Sequence, residues 1–434
     1  MLICRLPFGL LALHLVKDTA LIVHGNLMTR KGRRRLLQGL VMTKAKIVIV
    51  GGGIGGLFTA NALLAKGFPV AVYEQAPALG EIGAGVYITP NSMRHLQRVG
   101  LGELVEKWGA RVGSASRYFR YDGTPIAPVQ VTDSSGWNAT FGMHRADLID
   151  ILASGLPKDV VRTGHRCTGF EQDLNGARVA FDNGAVAEGD IVVAADGIHS
   201  ALQKYVTPPA HPVFSGSAAY RGTVPHELVP DWPMDRWQMW LGERKHFLVF
   251  PLRAGKLINF VGFVPASRVI EESWSAPGDA NQLRADFAGW DPQVEKLLRQ
   301  VQKTFLWALY DRDPLSCWTK DRLTLLGDAA HAMLPHLGQG ANQSIEDGIT
   351  LATILSRAER DSAPAALLAY EGLRRDRVAE VQSGARKNGL RYDSLSGDLA
   401  IRDREIVAHA EFRKQLYDYD VVKLASTAAI SAAH

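Results

Sequence analysis

Lys46 to Glu74 reads KIVIVGGGIGGLFTANALLAKGFPVAVYE, and its spacing decides the fold. A short β-branched run, Ile47 to Val50, leads into Gly51-Gly52-Gly53-Ile54-Gly55-Gly56. A helix-forming run follows, and a second strand, Val70 to Tyr73, stops at Glu74. Gly51 permits the tight turn out of the strand. Gly53 lets the backbone approach a pyrophosphate with no Cβ between them, and Gly56 lets the helix lie close on the strand. The helix opening at Ile54 and Gly55 then offers unpaired N–H groups and a partial positive charge to the phosphates. Glu74, eighteen residues past Gly56, is spaced to accept hydrogen bonds from a ribose. An acid there favours an unphosphorylated ribose, hence FAD or NAD rather than NADP. A GxGxxG alone is a weak signal. Here a strand precedes it, Ala60 and Leu63 mark the packed helix face, Gly67 ends the helix, and an acid closes the second strand.

Outward from this unit, 434 residues with 47% hydrophobic content suffice for a large core and two domains. Cys4, Cys167 and Cys317 are far apart and show neither metal-ligand spacing nor a disulfide framework, which suits a reducing, cytoplasmic setting. The net charge of +5 invites a nucleic-acid reading, but eight of the 49 Lys and Arg and only one of the 44 Asp and Glu fall within residues 1–44. The remainder is slightly acidic, so no nucleic-acid groove is expected. The basic leader has three readings: a presequence, a membrane-surface tether, or an upstream extension with the functional start at Met42. The last is favoured because Met42 stands just before the first strand. No apolar run elsewhere is long enough to insert stably in a membrane.

Along the chain, Gly80 to Gly85 reads as a Gly-rich loop, followed by a helix near Pro90-Asn91 with Asn91 as its cap. Trp108 to Phe141 is strand-like, Arg145 to Ala153 helical, and Ile191 to Ala195 an apolar strand. Residues 212–265 read as antiparallel sheet, with a hairpin around Arg253 to Lys256. Leu323 to Leu326 leads into Gly327-Asp328 and a long helix, and helices dominate from Pro364 on. No second GxGxxG occurs, which points to one tightly held dinucleotide with a substrate domain laid over it. Asp196-Gly197 and Gly327-Asp328 each close an apolar strand, where ligands of open α/β sheets bind. In Pro335 to Asn342 a Gly-rich turn opens a helix at Gly340, Ala341 and Asn342, whose N–H groups favour an anion such as a reduced flavin.

The three motifs, the Gly51–Gly56 fingerprint, Asp196-Gly197-Ile198-His199-Ser200 and Gly327-Asp328-Ala329-Ala330-His331, occur in the order found in group A flavoprotein aromatic hydroxylases. The chain resembles that family, the p-hydroxybenzoate hydroxylase-like superfamily. The resemblance implies an α/β fold: a Rossmann-like FAD-binding domain (45–110, 143–208, 320–375) interrupted by a mixed or antiparallel-sheet substrate domain (111–142, 209–319). A helical C-terminal part (376–434) follows, and the leader 1–44 stands outside the fold. It implies tightly bound FAD, with NADH or NADPH as co-substrate. Glu74 falls to the adenosine ribose, Arg145 and Gly85 to the FAD, Asp328 to the ribityl or ribose–phosphate region, and Asp196 to both FAD and the NAD(P)H site. Gln203 departs from the arginine that relatives often carry there.

Ala219 to Gly222, Phe250 to Arg253, Leu306 to Leu309 and Gly327 to His336 are most similar to bacterial salicylate 1-monooxygenases. Phe250, four residues after His246, replaces the tyrosine of 3-hydroxybenzoate 6-hydroxylases and 6-hydroxynicotinate 3-monooxygenases. The implied reaction uses NAD(P)H and O2, through a flavin C4a-hydroperoxide, on a small phenolic acid. Salicylate, giving catechol and CO2, is the first choice; the alternative is a 3-hydroxybenzoate 6-hydroxylase or 6-hydroxynicotinate 3-monooxygenase type of enzyme, and the alternative class an FAD-dependent reductase or oxidase without oxygen insertion. A positioned base must deprotonate the ring hydroxyl, and His246 and His336 are both candidates. Tyr87, Tyr220 and Arg221 are candidate substrate contacts, Arg221 because its fork matches a carboxylate. Phe250, Trp240 and Met333 would line an apolar pocket. A monomer or homodimer is expected.

Overall fold

A six-stranded sheet orders the strands Val161–Arg162, Val70–Tyr73, Ile47–Val50, Ile191–Ala194, Leu323–Leu325 and Thr319–Lys320. All neighbours are parallel except the last pair. Ile47–Val50 and Ile191–Ala194 are buried along their whole length, as expected of parallel strands covered on both faces. The helix Ile54–Ala65 covers one face and packs on the helix Gly340–Leu355. Their approach is close, since a Cβ at Gly348 would lie 2.9 Å from the Phe58 ring. This computed structural model describes residues 44–80, 85–208, 211–266, 276–394 and 399–428, and four short strands within residues 2–27. Residues 81–84 of the Gly-rich loop lie outside the described residues.

A second sheet has eight strands, in the order Pro125–Pro128, Arg117–Arg120, Gln238–Leu241, His246–Leu252, Leu257–Pro265, Val213–Pro225, Thr304–Asp311 and Pro277–Gly278. Its two faces differ in use. Trp240, Phe247 and Phe260 pack under the helices Ala280–Asp286 and Pro292–Arg299, with Leu283, Phe287 and Leu297. The alternate residues His246, Leu248 and Phe250 face the other way, into a cavity. Successive strand residues point to opposite faces, so the core and the cavity share one set of strands.

Two long helices, Ala363–Tyr392 and Leu399–Asp418, and the short Val421–Ala425 after them complete the body. A buried network ties them back. Arg374 reaches Glu346 at 2.6 Å and Asp347 at 2.7 Å, all three side chains fully buried. Asp347 also accepts from His331 at 2.6 Å and from the Gly327 N–H at 3.1 Å. Met1–Lys44 and Ala45–His434 are two separate units, the first holding the antiparallel pairs Leu2–Arg5 with Leu10–Leu13 and Ile22–Val23 with Asn26–Leu27.

Two local expectations need correction. The helix Pro90–Arg98 takes Thr89, not Asn91, as its N-cap, because Pro90 occupies the first helical turn, where its missing N–H costs nothing. Asp328 does not open a long helix. A four-residue turn, Asp328–His331, is followed by an extended break and a 3-10 turn, Pro335–Leu337. The long helix begins only at Gly340, after Gly338 at φ +65° reverses the chain.

Candidate active site

One cavity of about 970 Å³ runs from the carboxyl ends of the parallel strands to the inner face of the eight-stranded sheet. At its first end lie Gly51, Gly53, Ile54, Gly55 and Glu74. A Cβ on Gly53 would meet no protein atom within 4 Å and would project into that space, whereas Gly51, at φ +110°, is pressed against Ala195 and Asp196. The first intrahelical bond runs from the Leu57 N–H to the Gly53 carbonyl, at 3.0 Å. The N–H groups of Ile54, Gly55 and Gly56 therefore have no partner in the helix. The Gly340–Leu355 helix repeats this at Gly340, Ala341 and Asn342, since its first bond is from Gln343 to Gln339. Two helix N-termini thus serve one cavity, and both Gly340 and Ala341 line it.

Charged groups line the same cavity. Asp196 accepts from the Ala201 N–H at 2.8 Å through one oxygen, while its other oxygen is buried with no hydrogen-bond partner in the described protein. Burial raises its carboxyl above the usual range, against hydrogen bonds from Ser200 and backbone. Arg145, Asp328 and Arg221 line the same stretch. Burial lowers the Arg145 guanidinium, opposed by Asp328. Arg221 is pushed down to about 9 by burial and by the like charge of Arg145. These residues fit a dinucleotide: a cradle a Cβ would fill, free N–H groups for phosphates, and a carboxylate, Glu74, at the ribose end. Glu74 accepts from the N–H groups of Gly52 at 2.6 Å and Ala76 at 2.8 Å, which fixes its orientation.

The far end is walled by the sheet. His246 is fully buried, stacks on Phe263 with ring centres 4.0 Å apart, and lies 5.2 Å from the His336 ring. Its Nδ1–H donates to the Asp393 carboxylate at 2.7 Å. That bond leaves Nε2 as the proton-accepting nitrogen, and Nε2 has no partner among the described residues. His336 is also buried; desolvation and the neighbouring His246 hold its pKa well below the ordinary value, so it is neutral at pH 7. Phe250 packs edge-on to Tyr87 at 6.0 Å, and Met333 completes this end.

Of the residues singled out from sequence, the cavity gathers Gly51, Gly53, Ile54, Gly55, Glu74, Gly85, Tyr87, Arg145, Asp196, Arg221, His246, Phe250, Asp328, Met333, His336, Gly340 and Ala341. It does not gather Tyr220, whose side chain points to the opposite face of its strand and donates to Asp286 at 3.1 Å. Trp240 is likewise on that core face and donates to Asp291 at 2.7 Å. The Asn342 side chain serves as a tie, donating to the carbonyls of Tyr87 and Gly338, both at 2.8 Å. Gly56 lies behind the cradle, where a Cβ would run into the Gly51 carbonyl. Gln203 donates to the Ala329 carbonyl at 3.0 Å and accepts from Arg312, so an arginine reaches this motif from just past the strand Thr304–Asp311. The sequence reading missed Asp393 and Arg413, both contributed by the C-terminal helices.

The chain matches the FAD binding domain family over residues 44–385. It belongs to that family, among the group A flavoprotein aromatic hydroxylases. It is 37% identical over 368 residues to 3-amino-4-hydroxybenzoate 2-monooxygenase PtmB3 of Streptomyces platensis, covering 84% of this chain and 92% of that one. It is 37% identical over 386 residues to a salicylate hydroxylase of Pseudomonas putida, covering 80% and 86%. A solved salicylate hydroxylase substrate complex superposes with a TM-score of 0.78 at 29% identity, covering 90% of this chain and 99% of that chain.

Proposed function

We propose that this protein hydroxylates a small aromatic acid bearing a ring hydroxyl, consuming NAD(P)H and O2 and releasing NAD(P)+ and water. The carrying observation is the His246–Asp393 pair, seated beside neutral His336 where the FAD cradle meets the apolar sheet wall. FAD, when bound, supplies the electron transfer from NAD(P)H and the delivery of one oxygen atom to the ring. Gly53, Glu74, Arg145, Asp196, Asp328 and the Gly340–Ala341 N–H groups would hold it. Among the chain's own groups, His246 Nε2 takes the proton of the ring hydroxyl, which makes the ring electron-rich. Asp393 keeps the imidazole in the accepting tautomer and stabilises the cation that forms. Leu248, Phe250 and Phe263 exclude water from the reacting ring.

Salicylate and 3-amino-4-hydroxybenzoate are the first candidate substrates, on the similarities above and on Phe250. The test is a panel of hydroxylated aromatic acids with the purified protein, following NADH or NADPH oxidation together with product. Catechol and CO2 from salicylate support that substrate, and ring hydroxylation with the carboxylate retained supports the benzoate type. A colourless protein that rejects FAD, or NAD(P)H oxidation that yields only H2O2 with every acid, would sink the proposal.

A further inference from the structure

The cavity contains a buried cation that the cofactor reading leaves without a task. Arg413, on the helix Leu399–Asp418, is 3% exposed and lines the substrate end. No carboxylate pairs with it among the described residues. Its hydrogen bonds are two long contacts, 3.4 Å to the Tyr417 hydroxyl and 3.4 Å to the Tyr392 hydroxyl, and its Nε has no partner. Its guanidinium carbon lies 5.8 Å from the centre of the Trp237 ring. Burying a charge without a countercharge is costly, and a ligand carboxylate in the cavity relieves that cost through a charge-assisted fork.

The location agrees with this role. Trp237, just before the strand Gln238–Leu241, Met239 on it, and Leu248 paired with Met239 on the next strand add apolar lining to the cavity that Arg413 and the histidines share, suited to a flat ring. Tyr392 links the two ends: its hydroxyl contacts Arg413, and its ring centre is 5.2 Å from that of His246. Of the other two arginines that line the cavity, Arg221 lies near Arg145, and Arg145 near Asp328, the residue expected at the cofactor.

We propose that Arg413 anchors the carboxylate of the aromatic substrate, so that the C-terminal helix, rather than Arg221 on the sheet, sets the preference for acids. This rests on the aromatic-acid reading of the cavity. The test uses the FAD-loaded enzyme and the ligand-induced change in flavin absorbance. Salicylate, 3-hydroxybenzoate, 3-amino-4-hydroxybenzoate and 6-hydroxynicotinate are each compared with the matching carboxamide. Wild type is expected to bind at least one acid about tenfold or more tighter than its amide, the scale of a charged hydrogen bond. Arg413→Met is expected to abolish that ratio by weakening the acid and leaving the amide within about twofold, with Arg413→Lys intermediate. Equal binding of acid and amide by wild type overturns the proposal without any variant, which covers the case of a misfolded Arg413→Met. Retention of the ratio in Arg413→Met, with its loss in Arg221→Met, also overturns it. If no acid and no amide perturbs the wild-type flavin, the aromatic-acid reading falls first and this proposal with it.

Discussion

Gly53 and Gly56 stand three residues apart in one turn, and alanine at each should fail in a different way. At Gly53 a Cβ meets no protein atom within 4 Å, and the backbone at φ −74°, ψ −176° suits any residue. Gly53→Ala should therefore keep or raise the stability of the apoprotein, by up to about 1 kcal/mol, through the smaller entropy of its unfolded chain. The same Cβ enters the space where the phosphates must approach the helix N–H groups. Displacing them enough to lose one charge-assisted hydrogen bond costs about 1.5–3 kcal/mol, or roughly 10- to 150-fold in FAD affinity. At Gly56 the Cβ overlaps the Gly51 carbonyl and lies 3.1 Å from its carbon. Backbone cannot rotate aside as a side chain can, so Gly56→Ala should cost about 3 kcal/mol or more, the upper end of overpacking. Urea unfolding of flavin-stripped protein and FAD titration by fluorescence quenching separate the two effects. Gly53→Ala binding FAD within twofold of wild type, or unfolding as early as Gly56→Ala, would refute the assignment of the first glycine to the ligand and the second to packing.

Asp393→Asn should lower the hydroxylation rate about five- to tenfold with FAD binding unchanged. The lost charge is worth about 1–1.5 kcal/mol at a carboxylate that is partly solvent-screened; product formation at saturating substrate measures it, and an unaltered rate removes Asp393 from the mechanism. Arg374→Met should destabilise the fold by about 3–5 kcal/mol, since it strands Glu346 and Asp347 in the interior; a urea midpoint equal to wild type would contradict that. Burial opposes the charge on Asp347, but His331 and Arg374 outweigh it and hold its carboxyl below the ordinary value. The stability this contributes is fully present above the unfolded value near ~3.9 and is lost as pH falls through the lower folded value. Melting temperatures between pH 6 and pH 3 should therefore fall more steeply for wild type than for Asp347→Asn, and parallel curves would show that the network carries no such linkage.

The cofactor end was legible because its signals are local. Gly51 to Glu74 carries turn, helix and strand information within one βαβ unit, and Asp196 and Asp328 follow apolar strands directly. The substrate end was less legible because it is built across distance. Asp393 comes to His246 from 147 residues away, at the end of a helix whose charge pattern resembles any solvated surface. Arg413 sits among other basic residues of such a helix and is distinguished only by its burial. Tyr220 and Arg221 were both chosen, yet adjacent strand residues cannot share a face. Trp240 failed by the same parity: Met239 pairs with Leu248 and faces the cavity, while Trp240 pairs with Phe247 and faces the core. Thr89 was recoverable from Pro90, which marks the first turn of a helix.

The two-sided sheet also bears on how such a protein diversifies. Along His246–Leu252 the even positions His246, Leu248 and Phe250 meet the ligand space, and the odd positions Phe247 and Val249 hold the sheet to its covering helices. Mutational drift at even positions can retune which ring is accepted while the odd positions keep the scaffold folded. A combinatorial library confined to positions 239, 248 and 250 should therefore yield altered substrate profiles among mostly soluble clones, whereas randomising 240, 247 and 249 should deplete folded protein before any change of specificity is seen.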